Sequence, residues 1–159
     1  MIFVCENNGY AISLPVERGV AGTVTGRAAA FGMPSRTVDG SDPDLVAAAA
    51  DEAVAVARSG GGPSFLECVA YRFDAHHTWE HKARPRYRTA EQIAAGSARD
   101  PVDIQGARLT GARRDRIDAE IEELLDAATA FALDSPEPDP ADASEHLYAT
   151  RIRTRTGVG

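Results

Sequence analysis

The run Ile2-Phe3-Val4-Cys5 passes directly into Glu6-Asn7-Asn8-Gly9-Tyr10, and this junction narrows the possible folds more than any other part of the chain. Its first half is nearly continuous in apolar residues, as expected of a strand buried on both faces. Two amides, a glycine and an aromatic then stand where that strand should end. In open α/β sheets, ligands bind beyond the carboxyl ends of the strands. Asn side chains supply neutral oxygens and a turn frees backbone carbonyls, and both suit a hard cation such as Mg²⁺. The same residues carry a competing reading. Asn8-Gly9 is a strong signal for a two-residue hairpin, and the flanks IFVC and AISLP could pair across it.

The rest of the chain reads as alternating strand and helix. Residues 15–22 contain Pro15, Gly19 and Gly22 and are expected as a loop; Thr23 to Phe31 is a short helix stopped by Gly32. Ser35 to Val38 is a strand ending at Asp39-Gly40. Ser41-Asp42-Pro43-Asp44 opens a helix: Ser41 or Asp42 can cap it, Pro43 suits its first turn and Asp44 complements its dipole. Leu45, Val46, Ala49, Ala53, Val56 and Ala57 fall at helical spacing, and Ser59-Gly60-Gly61-Gly62-Pro63 ends the run. Ser64 to Tyr71 is a second nearly unbroken apolar strand. Such alternation marks an α/β layer. Residues 72–90 read as a long polar loop, holding three of the four histidines, the one tryptophan, and Arg72, Lys82, Arg84, Arg86 and Arg88. Long loops in compact domains are often functional. Thr89 and Asp100-Pro101 start further helices. Ile117, Ile121, Leu124, Leu125, Ala128 and Ala132 predict a strongly amphipathic helix over residues 112–134. A proline-rich break at Ser135 to Pro140 follows, then a short helix to Leu147 and a frayed tail from Arg151.

The net charge of −7 argues against a general nucleic-acid surface. No stretch reaches the roughly 18–20 apolar residues of a membrane span, and no leader peptide is visible, so a cytoplasmic location is expected. Cys5 and Cys68 both lie in apolar strand-like runs and are expected as buried thiols in adjacent strands.

Several separated pieces carry a resemblance. They are Cys5-Glu6-Asn7-Asn8-Gly9-Tyr10-Ala11-Ile12-Ser13, Val38-Asp39-Gly40, and Tyr71-Arg72-Phe73 with a histidine five residues after the tyrosine. Tyr87-Arg88-Thr89, Arg99-Asp100-Pro101 and Ser135-Pro136-Glu137-Pro138 follow. In this order and spacing the chain resembles the alpha subunit of the decarboxylating component of 2-oxo acid dehydrogenase complexes, of pyruvate, branched-chain 2-oxo acid or acetoin type. The resemblance covers the C-terminal half only. It implies an α/β fold: the C-terminal half of a thiamine diphosphate-binding fold, a mostly parallel sheet flanked by helices with a helical C-terminal segment. Residues 1–110 would be the partial cofactor-binding domain, 111–150 a helical extension packed on it, and 151–159 a flexible tail.

The resemblance also implies site residues. Asn8, through its side chain, and Tyr10, through its backbone oxygen, would bind Mg²⁺ together with the diphosphate of thiamine diphosphate. The family's third protein ligand is the aspartate of an upstream Gly-Asp-Gly, which this sequence lacks. Arg72 would contact the diphosphate, as suits a guanidinium. His76 would sit at the cofactor and assist acyl transfer to a lipoyl group, as suits an imidazole near neutrality. Without the family, Arg72 reads as a solvated charge at a strand end and His76-His77 as an exposed pair. A zinc or nickel site from His76, His77 and His81 is a weak alternative, since no regular element would hold it.

The sequence departs from the family where a phosphorylatable serine often follows the histidine; here it is His77. Trp79-Glu80-His81-Lys82 replaces an acidic pair, and Trp79 could pack on a partner or on its own loop. Glu6 stands where some relatives have a basic residue. The first half of the motif could be encoded upstream of Met1, lie on a separate polypeptide, or have been lost. The implied function is part of a thiamine diphosphate-dependent oxidoreductase that decarboxylates a 2-oxo acid and passes the acyl group to a lipoyl domain. Its partners would be a beta subunit and a lipoyl-bearing acyltransferase in a hetero-oligomer, with no nucleic acid and no membrane. The isolated chain would be inactive. The alternative is a truncated, non-catalytic interaction domain that keeps the fold without the complete site.

Overall fold

In the computed structural model of the chain, which describes residues 1–77 and 87–144, the opening apolar run forms β1 (Ile2–Asn7). A small hairpin follows, β2 (Tyr10–Ala11) with β3 (Leu14–Pro15). Then come one helical turn, α1 (Val16–Gly19), and a short helix, α2 (Val24–Ala29). β4 (Ser35–Asp39), α3 (Pro43–Arg58) and β5 (Ser64–Val69) make a strand–helix–strand unit. α4 (Ala90–Ser97), α5 (Pro101–Gly106) and the 24-residue α6 (Gly111–Asp134) follow, with a 3₁₀ turn at Pro140–Ser144. The predicted α/β class is the observed one. Trp79, Glu80, His81, Lys82 and the tail from Arg151 lie outside the described residues.

The sheet is parallel and three-stranded, in the order β1-β5-β4. Its register puts Asn7 beside Val69 and Asp39 beside Val69, so all three strands reach one level at their carboxyl ends. Side chains alternate between the two faces. Val38, Leu66 and Cys68 point to one face and pack on Ala49 and Ala53 of α3, with Ile2 and Val46 at the margin. The opposite face carries Asn7, Thr37 and Glu67. Here α2 is tied to β4 by Ser35 Oγ, which donates to the Thr25 carbonyl at 3.1 Å.

Two features differ from the sequence reading. The strand expected to be buried on both faces, β1, is an edge strand of the described sheet, and Phe3 and Val4 are 43% and 60% exposed on its two faces. The loop expected over residues 15–22 contains α1. The hairpin that Asn8-Gly9 could have formed is absent. A two-residue hairpin forms instead four residues later, around Ile12-Ser13.

The helix starts follow the capping residues. Asp42 accepts from Asp44 N at 3.0 Å, with Pro43 in the first turn. Thr89 and Gln92 form a reciprocal capping box, and Asp100 accepts from Val102 N at 2.8 Å ahead of Pro101. Two ion pairs then tie the residues flanking α5 to the strand–helix unit, one at β4 and one at the start of α3. Arg99 meets Asp39 at the end of β4. Arg108 takes Asp42 through both guanidinium nitrogens at 2.8 and 2.7 Å. α4 approaches so closely that a Cβ on Gly96 would lie 2.3 Å from the Tyr71 ring. Residues Met1–Thr110 and Gly111–Gly159 are two compact units. Within the second, α6 buries no residue, and Ile121, Leu124 and Leu125 are exposed.

Replacing Gly96 by Ala gains up to about 1 kcal/mol of helix propensity. It forces the Tyr71 ring aside at a cost of about 1–3 kcal/mol. The variant should therefore unfold at lower urea concentration than the parent; equal or higher midpoints would show that the ring moves freely. Asp42 provides a pH test. The hydrogen bonds from Arg108 hold its carboxyl at about 2, below the ordinary value. A depressed folded-state value means stabilisation that is present above the unfolded pKa near 4 and is lost as pH falls toward 2. Asp42→Asn should flatten the fall in melting temperature between about pH 5 and pH 2. An unchanged acid profile would remove the pair from the acid response.

Candidate functional site

The Asn7–Tyr10 turn is built from its own side chains. Asn7 Oδ1 accepts from Gly9 N at 2.9 Å, and Asn8 Oδ1 accepts from Tyr10 N at 3.0 Å. Gly9 sits at φ +78°, where only a residue without Cβ is unstrained. Val16 N donates to the Gly9 carbonyl at 2.9 Å, which makes Gly9 and Val16 a hydrogen-bonded pair. Such pairs alternate with non-bonded pairs along an antiparallel ladder. Tyr10 opposite Pro15 is therefore a non-bonded pair, where the missing proline N–H costs nothing. The Tyr10 carbonyl is turned away from the ladder.

Ile12 opens the hairpin loop at φ 58°, a position that such turns normally give to glycine and that a β-branched residue occupies at a cost of about 1–2 kcal/mol. Arg72 holds it there. Its Nη2 donates to the Ile12 carbonyl at 2.8 Å and to Tyr87 Oη at 2.5 Å. Its Nη1 lies 3.3 Å from His76 Nδ1. A guanidinium only donates, so in this contact Nδ1 accepts and the ring proton sits on Nε2. Arg72 Nε is buried without a hydrogen-bond partner, and no carboxylate among the described residues pairs with this side chain.

Arg88 fixes the segment that carries Arg72. It donates to Tyr71 Oη at 3.0 Å, to the Arg72 carbonyl at 2.5 Å and to the Asp74 carbonyl at 3.2 Å. Its guanidinium lies 5.3 and 5.4 Å from the Tyr71 and Tyr87 ring centres. Tyr87 packs against Tyr10 with ring centres 5.3 Å apart and planes tilted by 59°, which joins the two halves of the site. The structure thus brings Arg72 and His76 into contact and links Tyr10 to them through Tyr87. Among the described residues, Asn8 is linked only through its own turn. His76 and His77 lie edge to face at 4.4 Å, both exposed. Among the described residues no group of three His, Cys, Asp or Glu could hold a metal.

A cavity of about 680 Å³ opens beside the carboxyl ends of β4 and β5, lined by Tyr10, Asp39, Tyr71, Arg88 and Arg99 among others. Of the four predicted site residues, only Tyr10 borders it. Cys5 and Cys68 lie in adjacent strands as free thiols, Cys5 half-buried and Cys68 buried. Burial pushes both thiols up, assisted at Cys5 by the charge of Glu67, so neither is an activated nucleophile.

The donor set fits a cation bound together with a polyanion. Asn8 Oδ1 has a second lone pair, and the Tyr10 carbonyl is a second neutral oxygen on the same turn; Mg²⁺ would need its anionic ligands from elsewhere. The unpartnered Nε of Arg72 and the neutral acceptors on its other nitrogens leave its charge to be met by an anion. Sequence reasoning missed the roles of Arg88, Tyr87 and Glu67. Tyr87 and Arg88 stood in a recognised motif, but nothing in their spacing said what they would hold. Glu67 was hidden within an apolar run.

The dehydrogenase E1 component family matches residues 1–141. The chain is 36% identical over 156 residues to the alpha subunit of 2-oxoisovalerate dehydrogenase from Bacillus subtilis (strain 168), covering 94% of this chain and 47% of that protein. It is 38% identical over 158 residues to the alpha subunit of acetoin:2,6-dichlorophenolindophenol oxidoreductase from Cupriavidus necator, covering 94% and 46%. It is 38% identical over 150 residues to the alpha subunit of the pyruvate dehydrogenase E1 component from Rhizobium meliloti (strain 1021), covering 89% and 42%. The chain spans a little under half the length of these curated relatives. With the family matched over most of its length, the chain belongs to the dehydrogenase E1 component family.

Proposed function

We propose that this chain forms part of a thiamine diphosphate-dependent 2-oxo acid dehydrogenase, supplying one side of the cofactor site in a hetero-oligomer with a beta subunit. One observation carries the reading. A guanidinium with an unpartnered buried Nε and only neutral partners stands beside a turn whose amide and carbonyl oxygens suit a hard cation. Asn8 Oδ1 and the Tyr10 carbonyl would hold Mg²⁺, and Arg72 would hold the diphosphate. When bound, thiamine diphosphate supplies the electron sink for decarboxylation. With Nδ1 facing Arg72 and the ring proton on Nε2, His76 would offer an N–H hydrogen bond to the oxygen of the acyl group as it passes to a lipoyl group on an acyltransferase partner. Residues 1–110 would be the cofactor-binding part, and the apolar stripe of α6, in 111–150, would be covered in the assembled protein. Free thiols suit a reducing, cytoplasmic setting.

Two measurements test the reading. Titration calorimetry of the chain with thiamine diphosphate and Mg²⁺ should give binding weaker than about 1 μM, since no carboxylate among the described residues completes the cation site. Arg72→Ala should abolish the heat; an unchanged signal would remove Arg72 from the site. In the enzyme assembled with its beta subunit, His76→Gln should cut lipoyl-dependent turnover by roughly 100-fold or more. Decarboxylation with an artificial electron acceptor should fall less. Equal loss in both assays would argue against a role in acyl transfer.

A further inference from the structure

Glu67 is a buried carboxylate that none of the chemistry above uses. It is 6% exposed and lies on β5, the middle strand. It accepts from both neighbouring strands, from Asn7 Nδ2 of β1 at 2.7 Å and from Thr37 Oγ1 of β4 at 2.8 Å. Burying a carboxylate is unfavourable unless donors meet it, so its presence here calls for a role that a neutral residue would fill less well.

That role follows from the polarity of the Asn7 amide. An ionised carboxylate only accepts hydrogen bonds. It therefore takes the NH₂ end of Asn7 and rejects the oxygen end. With the NH₂ end on Glu67, the oxygen end faces Gly9 and accepts its N–H at 2.9 Å. A reversed amide would set oxygen against oxygen at Glu67 and donor against donor at Gly9. Gly9 begins the turn in which Asn8 Oδ1 takes the Tyr10 N–H. The chain of constraint thus runs from Thr37 and Glu67 through Asn7 to the residues that carry the two neutral oxygens.

We infer that Glu67 is a positioning residue: by fixing the orientation of the Asn7 amide, it holds the Asn8–Tyr10 turn in the geometry a cation requires. Its importance for cofactor binding rests on the proposed reading of Asn8 and Tyr10, whereas its control of the turn does not.

The test exchanges the two groups. Asn7→Asp places two acceptor-only carboxylates face to face. Adding Glu67→Gln returns a donor: the new amide gives its NH₂ to the new carboxylate and its oxygen to the Thr37 hydroxyl, while Gly9 N–H keeps an acceptor. The readout is hydrogen exchange at the Gly9 amide of the full chain, followed by NMR, with Leu66 and Val38 amides as internal references. Asn7→Asp should speed Gly9 exchange roughly fivefold to tenfold, the loss of about one hydrogen bond. The double variant should return it to within about twofold of the parent, and the reference amides should change little in either. Gly9 exchange unaltered by Asn7→Asp, or a double variant as fast as the single one, would overturn the inference. A uniform rise at Gly9, Leu66 and Val38 would also overturn it, by showing a general loss of stability. Because this readout uses no cofactor, it decides the role of Glu67 separately from the cation site. Mn²⁺ binding with thiamine diphosphate, followed by electron paramagnetic resonance on the parent chain, tests that site by itself.

Discussion

The parallel pairing of β1 with β5 governs everything at the site. Asn7 lies beside Val69, and Ala70 N continues the ladder by donating to the Asn7 carbonyl at 3.0 Å. Both strands therefore leave the sheet at the same end and level. The turn after β1 and the Tyr71–His76 segment after β5 become neighbours, although 60 residues separate Ile12 from Arg72. A hairpin at Asn8-Gly9 would have folded β1 back on its successor and broken this arrangement. The asparagine side chains help to prevent it. They take the Gly9 and Tyr10 N–H groups themselves, a local competition with ladder hydrogen bonds typical of this residue type. An apolar strand that packs with Leu66 and Cys68 then gains more from the sheet than from a short ribbon.

From that geometry follows a chain of cationic clamps. Ile12 occupies a backbone conformation it would not adopt alone, and its carbonyl is met by Arg72. Arg72 is in turn placed by Arg88, which grips the carbonyls of Arg72 and Asp74 and lies against two tyrosines. Among the described residues their partners are backbone carbonyls, phenols and the His76 ring, none of which neutralises them. Elsewhere the pattern is the opposite: Arg99 and Arg108, on either side of α5, are paired with Asp39 at the end of β4 and Asp42 at the start of α3. A chain with net charge −7 thus concentrates unneutralised positive charge beside one turn.

Local rules made much of this legible in the sequence. Asp42-Pro43, Thr89 with Gln92, and Asp100-Pro101 each start a helix because a short acceptor side chain and a favourable first turn act within a few residues. The apolar runs declared β1 and β5 for the same reason. What the sequence hid depends on contacts between distant residues. No local signal makes Ile12 a turn residue, because its strained backbone is held by an arginine far along the chain. Arg88 was one cation among several until the fold set it against Tyr71 and Tyr87. Glu67, flanked by Leu66 and Cys68, looked like an interruption of an apolar strand. Its meaning lies in the residues opposite it on two other strands. Asn8, Tyr10, Arg72 and His76 were readable only as a set of separated motifs, since each alone has an ordinary structural explanation.

On the proposed reading, the polarity of the groups also constrains how ligands enter. Two neutral oxygens hold a hard cation weakly, because Mg²⁺ favours anionic ligands. One arginine beside a half-buried turn holds a polyanion weakly, because water still screens it. Together, the cation lowers the repulsion within the diphosphate, and the diphosphate supplies the anionic oxygens that the turn lacks. Each ligand then raises the affinity for the other by the same factor. This coupling requires that the turn present its oxygens before either ligand arrives, since ordering it on binding would subtract from a small gain. The rigidity of Asn7–Tyr10, set in part by Asn7 and Glu67, which are not among the proposed ligands, is therefore part of the binding chemistry. A buried carboxylate next to a proposed anion site is consistent with this: its charge is directed to Asn7 and Thr37, and it acts on the site through shape.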